Sequence, residues 1–225
     1  MGFNFNDLFV FDLANNHQGD VAHARGIIEA VGGVVQKRGV RGVFKFQFRQ
    51  LDTFVHPAHQ SGSDQKHIGR FLSSRLKREE FDELLAVVRA RGMGTMCTPF
   101  DEESVGVIRE MGFGLIKVAS CSARDWPLLE AVAEAGLPVI CSTGGLSLGE
   151  IDNVVSFLEH RAVDFALMHC VAIYPTPPEK CHLNQIDAMR NRYPGRVIGW
   201  STHEDPAALA PVAVATAKGA RMFER

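Results

Sequence analysis

The sequence predicts an α/β fold of the (β/α)8 TIM-barrel type, and three observations carry that reading. Eight short apolar runs follow one another, separated by stretches of helical periodicity. Alternation of this kind implies parallel strands joined by right-handed crossovers. The 225 residues show no linker or compositional break, and a barrel of this type commonly occupies about 250 residues as one domain.

The elements read as follows. The predicted strands are LFVFDLA (8–14), GVFKFQF (42–48), GMGTMCT (92–98), GFGLIKVAS (112–120), PVICST (138–143), DFALMHC (164–170), RVIGWS (196–201) and ARMFE (220–224). Between them lie helical patterns such as 21–39, 78–92, 101–112, 126–136, 147–161 and 205–219, several ending in Gly just before the next strand. A glycine there is the expected helix C-cap. Residues 49–77 break the rhythm as a polar loop holding His56, His59 and His67, and loops of that length are usually functional or disordered. The pattern ends at strand eight, Arg225, without an eighth helix. The expectation is a barrel domain spanning 1–225 within a longer polypeptide, or one whose gap a partner chain covers.

Composition narrows the function. With 46% hydrophobic and 22% charged residues and a formal net charge of −2, the chain lacks the basic excess that nucleic-acid tracking needs. No apolar run reaches a membrane span and no signal peptide opens the sequence. Cys97, Cys121, Cys141, Cys170 and Cys181 form no CxxC pair; they read as reduced thiols of a cytoplasmic protein, small and buried where they fall in strands.

In a barrel of this kind the chemistry gathers at the C-terminal ends of the strands. Those ends carry Asp12, Asn16 and His17; Lys45 and Gln47; Thr98; Lys117 and Ser120; Ser142 and Thr143; His169 and Tyr174; Ser201 and His203; and Glu224. Strand periodicity puts Lys45 and Gln47 on one face. A single lysine in an apolar strand has a plain reading, a stem with its head in water. Two, with Thr98, Ser120 and Ser201 nearby in the pattern, point to a phosphate or carboxylate pocket. A lone strand-end histidine is usually structural, so His203 becomes a metal candidate only beside a second ligand such as Glu224. STGG (142–145) reads equally as a phosphate cradle or as ordinary turn chemistry. No GxGxxG or GxxxxGK supports nucleotide binding.

Taken in order, NNHQGD, FKFQ, CTPFDEESV, IKVAS, PLLEAVAEAGLPVICSTG, MHCVAIYPTPPE and GWSTH resemble the sialic acid synthase family over almost the whole chain. The resemblance implies a transferase that joins phosphoenolpyruvate to an N-acetylhexosamine and releases phosphate. It implies a divalent metal (Mn2+ first, Mg2+ or Co2+ as alternatives), a C-terminal antifreeze-like domain, and a homodimer in which that domain caps the partner's barrel. Lys45, Thr98, Lys117, Ser120 and Ser201 would hold phosphoenolpyruvate, and Gln47 and Tyr174 the sugar. Asn16, His17, Thr143 and His169 complete the implied substrate-binding set, His203 is the implied metal ligand, and Asp12, Lys45, Lys117 and Glu224 form the implied catalytic group. The family's second metal-binding histidine follows a Glu-Lys pair matched here by Glu224-Arg225. The chain departs from the pattern at Asp12 (usually Glu), Ser122 (usually acidic), Ile173 (usually Asn) and Thr202 (usually Asp). A Schiff-base aldolase using Lys117 or Lys45 and a non-catalytic sugar- or phosphoenolpyruvate-binding barrel are the alternative readings.

Overall fold

Eight parallel strands alternate with helices in the computed structural model, which describes residues 2–61, 64–201 and 203–225. Their order is that of a closed barrel, with each strand beside its neighbours in sequence. By packing, the chain divides into two compact units: Phe11–Gly114, and Met1–Val10 together with Leu115–Arg225.

The Phe11–Gly114 unit follows β1 (Leu8–Asp12) with α1 (Val21–Arg38), β2 (Arg41–Phe48), α2 (Leu51–Phe54), α3 (Lys66–Ser73), α4 (Arg78–Ala90), β3 (Gly94–Pro99) and α5 (Glu102–Glu110). Local chemistry sets the limits of α1. Asp20 accepts the His23 N–H at its start, and Gly39 closes it at φ 62°, a conformation that glycine adopts without a side-chain penalty. The helix buries Ala24, Ile28 and Val35. The ladder pairs Lys45 with Met96 and Gln47 with Thr98, so these four share a face. Phe46 and Phe48, on the opposite face, meet Phe81 and Phe113 edge-on, with centroids 4.8–6.0 Å apart. That aromatic layer anchors β2 and holds Lys45 and Gln47 in place.

The second unit contains β4 (Leu115–Val118), α6 (Trp126–Glu134), β5 (Val139–Ser142), α7 (Leu148–His160), β6 (Phe165–Cys170), α8 (Asn184–Arg192), β7 (Ile198–Ser201), α9 (Ala210–Ala217) and β8 (Met222–Glu224). Lys117 pairs with Ile140, Ser142 with Met168, Cys170 with Ser201, and Ser201 with Glu224. By strand periodicity this places Lys117, Ser142, Cys170, Ser201 and Glu224 on one face.

Two segments differ from the sequence reading. The polar stretch 49–77 contains α2 and α3; α3 presents Ile68, Phe71 and Leu72 at helical spacing, too brief a stripe to stand out in sequence. Helix α8 buries only Ile186 and Met189 in an otherwise polar segment, so its periodicity is sparse. Among the described residues no helix is long and apolar enough to cross a membrane.

Candidate functional site

In the Phe11–Gly114 unit the chemistry centres on Lys45. Its ammonium lies 3.1 Å from Asp12 Oδ2, with the two side chains 5% and 24% exposed. Asp12 Oδ1 accepts the Ala14 N–H at 3.0 Å; the turn that follows holds Ala14 at φ 44°, so the carboxylate is fixed where the strand ends. Gln47 Oε1 accepts from the Arg49 guanidinium at 3.3 Å. Thr98 Oγ1 is buried with no hydrogen-bond partner among the described residues. A buried hydroxyl in that state calls for an explanation, and a bound oxygen ligand would supply one.

His17 is buried, and its Nδ1 accepts the Gly19 N–H at 3.1 Å. Burial, helped by His23, lowers its pKa, which favours the neutral ring with its proton on Nε2. Asn16 is exposed and its backbone N–H donates to Leu13. Its neighbour Asn15 instead lines a cavity together with His17 and Gln47.

The second unit is organised around Lys117. Its ammonium is 2.5 Å from Glu224 Oε2, with side-chain exposures of 3% and 7%. Ser201 donates to the other carboxylate oxygen at 3.3 Å. Burying two charges is costly, and attraction between them repays this only with excellent geometry; a strand core with no further purpose would take apolar residues.

Ser120 Oγ accepts the Gly144 N–H at 3.0 Å and lies 2.9 Å from Cys170 Sγ. A Cβ on Gly144 would sit 2.4 Å from that sulfur, so only glycine fits. Here the STGG turn does more than reverse the chain: its backbone orients Ser120.

Other residues of the implied set are engaged elsewhere. Thr143 donates its hydroxyl to the Met168 carbonyl at 3.1 Å, whereas Ser142 Oγ is buried without a partner among the described residues on the Lys117 face. His169 pairs in the ladder with Trp200, stacks on it at 5.0 Å, and lies 3.0 Å through Nε2 from the Cys181 carbonyl. The ladder therefore turns His169 away from the face of Ser201 and Lys117. Burial lowers its pKa against the opposing effect of that hydrogen bond.

Tyr174 is exposed, its ring 4.2 Å from His203. The Thr176 N–H donates to the His203 carbonyl at 2.9 Å and the Thr176 hydroxyl to Ile173 at 2.6 Å, tying the YPTPPE loop to the end of β7. Among the departures, Ser122 is buried and Ile173 exposed, while Thr202 lies outside the described residues. No group of three His, Cys, Asp or Glu suited to a metal ion occurs among the described residues. Burial pushes the Cys97 thiol well above its usual range and that of Cys141 up to about 12, so both stay protonated at neutral pH.

Sequence reasoning placed Ser142 at a strand end without a role, read Cys170 as a plain buried thiol, and passed over Glu204. The first two are legible once strand register is known. Glu204 is buried, with neither carboxylate oxygen hydrogen-bonded among the described residues and Arg225 3.7 Å away; no local pattern marks it.

Comparison with known proteins places these features. The chain is 29% identical over 225 residues to an N-acetylneuraminate-9-phosphate synthase of Drosophila melanogaster, matching 96% of this chain and 58% of that protein. A crystal structure of a putative spore coat polysaccharide biosynthesis protein E from Chromobacterium violaceum superposes with a TM-score of 0.94 at 46% identity, over 97% of this chain and 65% of that one. A sialic acid synthetase from Leptospira borgpetersenii matches with a TM-score of 0.82 at 26% identity, over 99% and 73% of the two chains. The chain thus spans less than two thirds of the Drosophila relative's length. A model of the NeuB family matches residues 36–225, and the chain belongs to the NeuB family.

Proposed function

We propose that this chain carries the phosphoenolpyruvate-binding and acceptor-binding residues of a synthase that condenses phosphoenolpyruvate with an N-acetylhexosamine-type aldose. The product is a sialic-acid-like nonulosonate. The observation that carries this reading is the pair of buried lysines on strands β2 and β4, each held by a carboxylate. Membership of a family whose relatives include an N-acetylneuraminate-9-phosphate synthase supports it.

In this reading carbon 3 of phosphoenolpyruvate forms a bond to the aldehyde carbon, and water adds at carbon 2. The bond from carbon 2 to the phosphate oxygen then breaks, releasing phosphate. Lys45 and Lys117 neutralise charge on the leaving group, an electrostatic contribution that is usually the largest in catalysis. The hydroxyls of Thr98, Ser120 and Ser201 fix the anion, and Gln47 and Tyr174 contact the sugar. Glu224, bound to Lys117 and Ser201, orients them. Asp12 is the more exposed carboxylate and is suited to exchange protons with water or the aldehyde oxygen.

The family also implies a divalent ion, Mn2+ first and Mg2+ or Co2+ next, with His203 as one ligand. The described residues offer no cluster of three donors, short of the three or four protein ligands that resident metals such as zinc take, and no step above runs through a metal. A homodimer and a further C-terminal domain belong to the same proposal. A Schiff-base aldolase is disfavoured because its lysine must attack as a neutral amine, whereas Lys117 sits 2.5 Å from a carboxylate.

The test is phosphate release from phosphoenolpyruvate by the full-length protein with a panel of N-acetylhexosamines and Mn2+. Sugar-dependent release is expected, and no release with any sugar in the panel defeats the proposal. Borohydride with pyruvate is expected to trap no lysine adduct.

A further inference from the structure

The proposed function uses the hydroxyl of Ser120 and leaves the buried thiol beside it without a task. Cys170 ends β6, is 7% exposed, and shares by ladder register the face of Lys117, Ser142 and Ser201. Its sulfur lies 2.9 Å from Ser120 Oγ, a contact in which either atom can be the donor. The thiol makes no other hydrogen bond among the described residues. The same Ser120 oxygen accepts the Gly144 N–H at 3.0 Å. The three groups are so close that a Cβ on Gly144 would sit 2.4 Å from the sulfur and 3.0 Å from the hydroxyl oxygen. All of them lie in the unit that holds Leu115–Arg225.

A serine hydroxyl has one proton to give and two lone pairs to fill. At Ser120 the Gly144 N–H takes one lone pair, and the thiol decides the rest. A hydroxyl proton turned toward sulfur would leave the second lone pair facing any ligand and repel an anion. A thiol that donates to Oγ fills that lone pair from within the protein and leaves the O–H for an acceptor outside. Sulfur is a weak acceptor and oxygen a good one, so donation from sulfur to oxygen is the stronger arrangement. It also polarises the hydroxyl, because hydrogen bonds in a chain strengthen one another. A second hydroxyl is in a matching state. Ser142 Oγ, on the strand that leads to Gly144, is 3% exposed with no partner among the described residues, so its proton also calls for an acceptor. Such donors on strand ends that carry Lys117 suit an oxyanion, which offers lone pairs and no protons.

On the reading that Ser120 holds the phosphate or carboxylate of phosphoenolpyruvate, we propose that Cys170 is a positioning residue. Its thiol donates to Ser120 Oγ and thereby fixes the Ser120 O–H as a donor to the bound anion. Sulfur forms no covalent bond in this role and keeps its proton throughout.

The experiment takes the full-length protein with two anions, phosphoenolpyruvate and inorganic phosphate. Calorimetric titration reads affinity, and infrared difference spectroscopy reads the S–H stretch, whose frequency falls as a thiol donates more strongly. Subtracting the spectrum of Cys170→Ala or of Cys170→Ser isolates the Cys170 band, so one folded variant, checked by circular dichroism, is enough. The band should move to lower frequency when an anion binds, which a thiol that merely fills space would not show. Cys170→Ala should weaken anion binding about two- to tenfold, the range of one net hydrogen bond. Cys170→Ser keeps a donor in place and should recover most of that loss. A band that bound anion does not move, or phosphoenolpyruvate affinity unchanged in Cys170→Ala, overturns the role of Cys170 and leaves the synthase reading standing. Phosphate binding that shifts the band and weakens in Cys170→Ala, without binding of phosphoenolpyruvate, keeps the role of Cys170 and removes the synthase. Binding of neither anion overturns both.

Discussion

Glu224→Gln removes one charge from the most deeply buried ion pair described above while keeping the shape of the side chain and a group able to accept from Ser201. With the charges 2.5 Å apart, Coulomb attraction at an effective dielectric of about 20 is roughly 7 kcal/mol. Desolvation offsets most of that, because both groups have left water. Removing one partner nonetheless exposes the other's desolvation cost, typically about 3–5 kcal/mol. We expect Glu224→Gln and Lys117→Met each to lower unfolding stability by that amount, measured by urea denaturation at neutral pH. The double variant Lys117→Met/Glu224→Leu should recover much of the loss, since two apolar side chains need no compensation. Single costs below about 1 kcal/mol, the range of exposed pairs, would refute the reasoning. So would a double variant whose cost equals the sum of the singles. The cycle also separates structure from function. Under the proposed function, the apolar pair should stay folded yet bind no phosphoenolpyruvate, because the charge assigned to its recognition is gone.

Three further outcomes follow from the same geometry. Lys45→Ala should abolish phosphoenolpyruvate binding in an equilibrium titration while leaving the circular dichroism of the barrel intact; unchanged affinity removes Lys45 from the anion site. Gly144→Ala drives a methyl into the Cys170 sulfur and the Ser120 hydroxyl, and should destabilise by about 1–3 kcal/mol, the usual cost of overpacking; Cys170→Ala in the same chain should restore part of that loss, read from thermal midpoints. Burial holds His17 and His169 below the usual value of 6.5, so the unfolded chain binds more protons than the fold in the window just below 6.5. Stability from these groups is therefore complete above 6.5 and declines as pH falls toward their folded-state values. The melting temperature should drop between pH 7 and pH 5, and His169→Gln should make that slope shallower; an unaltered slope takes His169 out of the account.

Strand–helix alternation, the glycine caps and the polar groups at the strand ends are local features, and each can be read in the sequence. The order of eight strands and the special status of Lys45 and Lys117 follow from them, because an apolar run with one charge inside it stands out at once. Period 2 correctly joined Lys45 to Gln47. Where elements are short or polar, local pattern fails. Helix α3 has eight residues, and α8 buries only two apolar side chains.

Tertiary structure alone decided which groups are partners. Glu224 lies 107 residues from Lys117, and Asp12 lies 33 from Lys45; no spacing rule foretells either pair, because strand register, not sequence distance, sets them. Register also separated Ser201 from His169, which a reading of strand ends treats alike: one shares the face of Lys117, the other turns to Trp200 and Cys181. It gave Cys170 and Ser142 places on the face of Lys117 and directed the Thr143 hydroxyl to a backbone carbonyl. The sequence by itself determined a barrel of the NeuB kind with cationic strands. Folding decided which carboxylate holds each lysine, since burial of a charge is tolerable only beside the group that compensates it.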